Sequence, residues 1–244
     1  MNELKQLSSE QLNSFDTEYV NGILWDRVVN FIDRDFGDKA FTFLDIGGGN
    51  GVFTDRLLDK YPKSQAILLD NATNLIEINK HNPRKKIILD SAENLEIYLK
   101  ENHVDLIFIN WVLHHLVSDS YSKTRHNVLN ILKTVKNNPN VKYFAVFENM
   151  YNGILFDNLP SKIIFYLTSL KSIKAIVRRM GANTAGVGVA FLSKKTWTNI
   201  FTNVFGKNSF EVVDFESWKI PFLRQLFLHI KTTNMSLFWI SLKK

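Results

Sequence analysis

The 244-residue chain has no cysteine. Disulfides, thiolate metal sites and thiolate nucleophiles are therefore excluded. No run of about 18 uncharged apolar residues occurs, so no transmembrane helix is expected. The opening MNELKQLSSEQ is polar and lacks the apolar stretch of a signal peptide, which gives a soluble, cytoplasmic expectation. Proline is scarce, at five residues, and there is no internal repeat or low-complexity tract. Acidic residues are fewer than basic ones, leaving a net charge of +6. The positive residues are scattered, with small concentrations at 80–86, 162–179 and the tail, so a nucleic-acid partner is not favoured. The apolar fraction, 45%, is enough to fill a sizeable core.

Glycine is also sparse, yet four of the eleven lie within five positions: Gly47, Gly48, Gly49 and Gly51. They follow a buried-type strand, Phe41 to Leu44, and an acid, Asp45. Glycine adopts backbone angles other residues avoid and lets a ligand approach the main chain. A strand, such a turn and then a helix is how an open α/β sheet holds a nucleotide-like ligand. A phosphate-cradling P-loop would end in Gly-Lys-Ser/Thr, and this one does not. A dinucleotide fingerprint needs a glycine at its sixth position, where Val52 stands. The remaining pattern is acid-x-Gly-x-Gly-x-Gly, met by Asp45, Gly47, Gly49 and Gly51.

In that segment the chain resembles the class I S-adenosylmethionine-dependent methyltransferases of the small-molecule type. Further landmarks fall in the family's order. SQAILLD (64–70) reads as a second strand ending in Asp70, and KKIILD (85–90) as a third, followed by Ser91 and Ala92. VDLIFIN (104–110) reads as a fourth, followed by WVLHHL. The resemblance implies S-adenosylmethionine as cofactor. It implies that Asp70 grips both ribose hydroxyls, that Asp90 reads the adenine amino group and that Ala92 lies near the ring. Gly48, Asn71, Ser91, Asn110, Trp111 and, from the leading segment, Tyr19 complete the implied cofactor contacts. The missing cysteine argues against cytosine-C5 methylation. The Asn/Asp-Pro-Pro-aromatic sequence of exocyclic-amine base methyltransferases is also absent, since Asn110-Trp111-Val112-Leu113 stands there. The resemblance is good over residues 41–150 and holds elsewhere in outline.

Strands alternate with helical stretches up to residue 150, which predicts a parallel sheet with helices on both faces. Helices are expected over 9–36, 51–61, 71–81, 124–136 and 194–205. A fifth strand is expected over 141–149, and two more over 210–218 and 235–244. The linker 219–234, with Phe222, Leu226, Phe227 and Leu228, is a candidate helix over the site. The expected fold is a doubly wound, seven-stranded, mostly parallel α/β sheet with an antiparallel last strand and a helical cap. Its organisation is an N-terminal cap (1–40), a cofactor-binding core (41–150), a cap and substrate insertion (151–193) and a C-terminal helix with the last two strands (194–244).

Methyl transfer from a sulfonium mainly requires alignment of the acceptor and exclusion of water. A hydroxyl or amine acceptor must also lose a proton, which calls for a base. His114 and His115, just past the fourth strand, are candidates; adjacent histidines cannot both face the acceptor. Glu148, ending the fifth strand, is the next. In the insertion, Tyr151 and Tyr166 are candidate pocket residues, and Arg178 and Arg179 candidate anion binders. No histidine–carboxylate set has metal-ligand spacing, so no metal is expected. The acceptor is expected to be a small, partly apolar molecule methylated on oxygen, in a secondary-metabolite, quinone or lipid pathway. A nucleic-acid or protein acceptor and a non-methylating, cofactor-binding role stay open. Peripheral membrane contact through the basic, aromatic stretch is compatible with the pattern, and so is a monomer or a homodimer.

Overall fold

The computed structural model describes residues 4–12, 20–215 and 218–242. Seven strands form one sheet: β1 (Thr42–Ile46), β2 (Gln65–Asp70), β3 (Lys85–Leu89), β4 (Leu106–Asn110), β5 (Tyr143–Gly153), β6 (Phe210–Phe215) and β7 (Ile230–Ser241). Their order is β3-β2-β1-β4-β5-β7-β6. β1 to β5 run parallel, and β7 lies antiparallel between β5 and β6. Helices α1 (Ser9–Leu12), α2 (Gly22–Phe36), α3 (Val52–Lys60), α4 (Thr73–Ile76), α5 (Leu95–Glu101), α6 (Tyr121–Asn137), α7 (Leu159–Ser169), α8 (Lys174–Arg179), α9 (Lys194–Phe205) and α10 (Phe222–Phe227) complete the described elements. No helix among the described residues is long and apolar enough to cross a membrane.

The alternation of side chains along each strand splits the core into two layers. Phe43, Phe108 and Trp239 face α2 and α3, whereas Leu44, Ile46, Ile107 and Ile109 join the layer that holds α5, α6 and α9. Trp239 couples the sheet to α2. Its indole stacks on Phe31 at 5.0 Å and its Nε1 donates to Asp35 at 2.7 Å.

Three expected helices differ from what forms. The helix expected over 9–36 is divided: Asn21 is extended and Gly22 has φ +50°, which a continuous right-handed helix does not allow. The helix expected over 71–81 stops at Ile76. Asn79 Nδ2 donates to the carbonyls of Gly49 and Leu75, and Asn82 Oδ1 accepts from Arg84 N. These local bonds compete with the helical ladder. The helix expected over 124–136 begins earlier, at Tyr121, because Ser120 caps it by accepting from Lys123 N at 3.2 Å. α9 starts at the expected Lys194 behind the same device, Ser193 accepting from Thr196 N. β5 runs past residue 150 to Gly153, and β7 begins at Ile230 rather than 235, because these ends pair with each other. Residues 216, 217, 243 and 244, within the two expected last strands, lie outside the described residues.

Trp239→Ala should cost about 3–5 kcal/mol, the range for losing a large buried aromatic. Urea unfolding measures this. A loss below about 1 kcal/mol would show that α2 is held by other contacts.

Candidate functional site

The sheet order reverses between β1 and β4, the place where an open α/β sheet opens a crevice beyond its strand ends. The turn after β1 fills that place. Gly47 has φ +73°, and a Cβ there would lie 2.2 Å from Val112 Cγ2, on the loop after β4. Its N–H donates to Leu69 O at 2.7 Å, which ties the turn to β2. A Cβ at Gly48 would meet Leu68 Cγ at 2.7 Å and Asp45 Oδ2 at 2.8 Å. Asp45 is buried and accepts from Thr54 Oγ1 at 2.7 Å. It thereby fixes the loop to α3.

A cavity of about 240 Å³ opens over this loop. Of the expected cofactor residues, Asp45, Gly47, Gly48, Gly49, Asp70, Asn71, Asp90, Ser91, Ala92, Asn110 and Trp111 all line it. Gly51 does not line it: it starts α3 at φ +76°, and a Cβ there would press on Asn79 Oδ1. Tyr19 lies outside the described residues.

The wall groups differ in what they can still accept. Asp70 Oδ2 takes the Gly49 N–H at 2.9 Å and Oδ1 takes the Ala72 N–H at 2.8 Å. A carboxylate has about four acceptor sites, so Asp70 keeps acceptor capacity towards the cavity. Burial raises the Asp70 pKa, and the backbone N–H groups of Ala72, Gly49 and Asn71 oppose that rise. Asn110 Oδ1 is buried with no hydrogen-bond partner. Asp90 is already engaged: Oδ1 accepts from Ser91 N and Asn94 Nδ2, and Oδ2 from Asn94 Nδ2 and Tyr98 Oη. Burial raises the Asp90 pKa, but these bonds outweigh it and hold the group below the usual carboxylate value. Trp111 adopts φ +55°, sparsely populated for a bulky residue. It is held there by stacking on Phe147 at 5.2 Å and by donating Nε1–H to Asn149 at 3.2 Å.

Leu4, Lys5, Gln6, Leu7 and Leu12 roof the cavity together with Val187 and Gly188 from the insertion. The two roof segments are clamped to each other. Gln11 Nε2 donates to Asn183 O, Asn183 Nδ2 donates to Gln11 O at 2.9 Å, and Arg178 pairs with Glu10 at 2.6 Å. Lys5 N–H donates to Val117 O at 2.9 Å and ties the strap to the loop after β4. This clamp, and Phe53 on the floor, were not among the sequence candidates. No periodicity marks Gln11 or Asn183.

The two histidines separate as adjacent residues must. His115 lines the cavity, whereas His114 turns inward, its Nδ1 2.6 Å from Glu148 Oε2. The His114 ring lies between those of His115, at 4.2 Å, and Phe191, at 4.6 Å. Burial lowers the His114 pKa to about 3 and lowers that of His115 well below 6.5. Burial also raises Glu148 well above the usual value, opposed by nearby backbone N–H groups of His114, Leu113 and Asn149. Neither His114 nor Glu148 carries an isolated charge cheaply, so near neutral pH the pair holds one proton between them.

The expected substrate residues do not converge on the cavity. Tyr151 lies behind the histidines, with its ring 4.7 Å from Phe191. Tyr166 and Arg179 are exposed, and Arg178 is spent on Glu10. α10 does not line the cavity either.

A second proton on the buried pair must destabilise the fold. The unfolded pair takes its second proton near the ordinary carboxylate value of about 4.3, whereas the folded pair takes it only towards about 3, so the stability tied to the pair is lost as pH falls through that window. Between about pH 5 and 3 the wild type should lose roughly 1 kcal/mol that His114→Asn does not. Urea titrations of both proteins across that range check this. Parallel losses would show that His114 titrates as in water.

Residues 43–134 match the family model described as a methyltransferase domain. The chain is 24% identical over 180 residues to malonyl-[acyl-carrier protein] O-methyltransferase 1 of Ilyobacter polytropus, covering 60% of this chain and 65% of that protein. It is 24% identical over 185 residues to the malonyl-[acyl-carrier protein] O-methyltransferase of Priestia megaterium, covering 69% and 66%. It thus spans just under two thirds of the length of these relatives. Among solved structures it is similar to the plantazolicin methyltransferase BamL, determined with a triazolic desmethylPZN analog and SAH. That match has a TM-score of 0.57 and 13% identity, covering 96% of this chain and 90% of the other. Residues 43–134 thus match a methyltransferase domain, and in its sheet order the chain is similar to the class I S-adenosylmethionine-dependent methyltransferases.

Proposed function

We propose that the protein transfers a methyl group from S-adenosylmethionine to a small, partly apolar acceptor, at oxygen. The observation that carries this reading is the shared wall of one cavity. It brings together a diol acceptor (Asp70), an unpartnered buried acceptor (Asn110 Oδ1), close-approach glycines and an unprotonated imidazole (His115).

These residues fit the cofactor. The remaining acceptor capacity of Asp70 suits two ribose hydroxyls. Asn110 Oδ1 suits an ammonium donor, because a buried acceptor without a partner is costly until it is met. For Asp90 to accept an adenine amino group, Asn94 or Tyr98 must give up one of its bonds. Bound S-adenosylmethionine supplies an electrophilic methyl group on a sulfonium. The chain then has to align the acceptor and exclude water, which is the work of the roof formed by residues 4–7, Leu12, Val187 and Gly188. His115, kept neutral by burial, takes the proton from an acceptor hydroxyl. The His114–Glu148 pair packs behind it and sets its ring. The relatives named as O-methyltransferases favour oxygen as the accepting atom.

Methyl transfer from labelled S-adenosylmethionine to a panel of apolar alcohols, phenols, carboxylic acids and amines tests the reading. His115→Ala should lower kcat by about 10²–10⁴ on hydroxyl acceptors and leave cofactor affinity within a few-fold. A carboxylate acceptor carries no proton to remove, so there the same variant should lose little. Transfer to RNA in preference to every small acceptor would overturn the small-molecule reading. An unchanged kcat on hydroxyl acceptors would remove His115 from the reaction.

A further inference from the structure

Charge is divided along the chain. Residues 1–150 carry 17 Lys and Arg against 20 Asp and Glu, a balance of −3, whereas residues 151–244 carry 13 against 4, a balance of +9. The same C-terminal part exposes most of the large apolar side chains. The densest group is α10, where Phe222, Leu223, Leu226 and Phe227 are all more than half exposed. Beside it stand Leu155 and Phe156, 72% and 71% exposed.

The two segments are joined at one corner of the sheet. Gly153, ending β5, pairs with Ile230, starting β7, and Ile154 N–H donates to His229 O at 3.0 Å. His229 has φ +54°, a left-handed bend between α10 and β7. From Trp218 to Lys231 the sequence has Lys219, Arg224 and Lys231 and no acid. The acid at the tip of the β5 loop, Asp157, is paired with Lys195 at 3.5 Å.

We propose that this corner, α10 with the 154–156 loop, docks on an anionic lipid bilayer surface. Protruding phenylalanine and leucine side chains ringed by lysine and arginine match the interfacial layer of such a membrane, where apolar groups enter the acyl boundary and cations meet headgroups. A protein partner of ordinary affinity would be expected to bring polar groups to meet a mixed polar rim, and here Lys219, Arg224 and Lys231 stand against a single acid, Asp157, which is already paired. The corner also lies at the end of a line of aromatic rings. Trp218 is 5.6 Å from Tyr151, Tyr151 is 4.7 Å from Phe191, and Phe191 is 4.6 Å from His114, whose neighbour His115 faces the cavity. The docking itself does not depend on the proposed reaction.

Sedimentation with vesicles tests it, using phosphatidylcholine alone and phosphatidylcholine with about one third phosphatidylglycerol. The wild type should partition at least ~10-fold more onto the anionic vesicles. Phe222→Ser/Leu223→Ser and Arg224→Glu should each reduce that partition ~10-fold or more. Ile97→Ser, an exposed apolar site on α5, should leave it unchanged, and unaltered circular dichroism checks the fold of every variant. Absence of binding to either vesicle, or equal binding by the Phe222/Leu223 variant, overturns the proposal. So does a concentration-dependent dimer of the free protein that the same variant abolishes with no vesicle effect, since the corner would then be an interface between two copies.

Discussion

The rest of the site depends on the closeness of two loops at the sheet's switch point. The turn after β1 and the loop after β4 approach until no side chain fits at Gly47. This contact aims the exposed backbone of residues 47–49 into the cavity. It also places the strand-end residues of β2, Asp70 and Asn71, on one side and those of β4, Asn110 and Trp111, on the other. A turn of ordinary residues would hold the loops apart and fill the crevice. The division of the core into two layers buries both faces of the central strands, so the crevice forms beyond their C-terminal ends.

Around this frame the polar groups are sorted by how much of their bonding is already used. Asp45 and Asp90 are engaged by neighbouring side chains and act as braces. Asp70 and Asn110 keep acceptor capacity on the wall. The histidine turn repeats this division in two consecutive residues. His114 is committed to a buried proton-sharing contact with Glu148, and His115 is presented to the cavity. Burial disfavours the charged form of both imidazoles, so their neutral state at physiological pH follows from packing.

Much of this was legible in the sequence, because the signals were local. Strand ends, the acid after each strand and the glycine cluster are all read within a few residues. What was not legible depends on distant pairing. Register between β4 and β5, with Asn110 opposite Phe147, brings Glu148 to His114 across 34 residues. Each of the two was a candidate alone, and neither reading contained the pair. The Gln11–Asn183 clamp spans 172 residues and joins two ordinary amides. Aromatic residues of the insertion were legible as apolar, but spacing on a short helix does not say whether a ring faces core, cavity or solvent. Tyr166 and the α10 residues turned outward, whereas Phe165 entered the core. Asn79 ended an expected helix because its amide braces Gly49 instead.

The central claim is that the cavity over Gly47 to Gly49 holds a sulfur nucleoside through Asp70. Calorimetric titration of the wild type and of Asp70→Ala with S-adenosylhomocysteine, and with NAD as control, tests it most directly. The account predicts one site per chain with micromolar affinity, weakened at least ~10-fold by Asp70→Ala, since two hydrogen bonds to a buried carboxylate are lost, and no heat with NAD. Tight NAD binding, or unchanged affinity in the Asp70 variant, would contradict it.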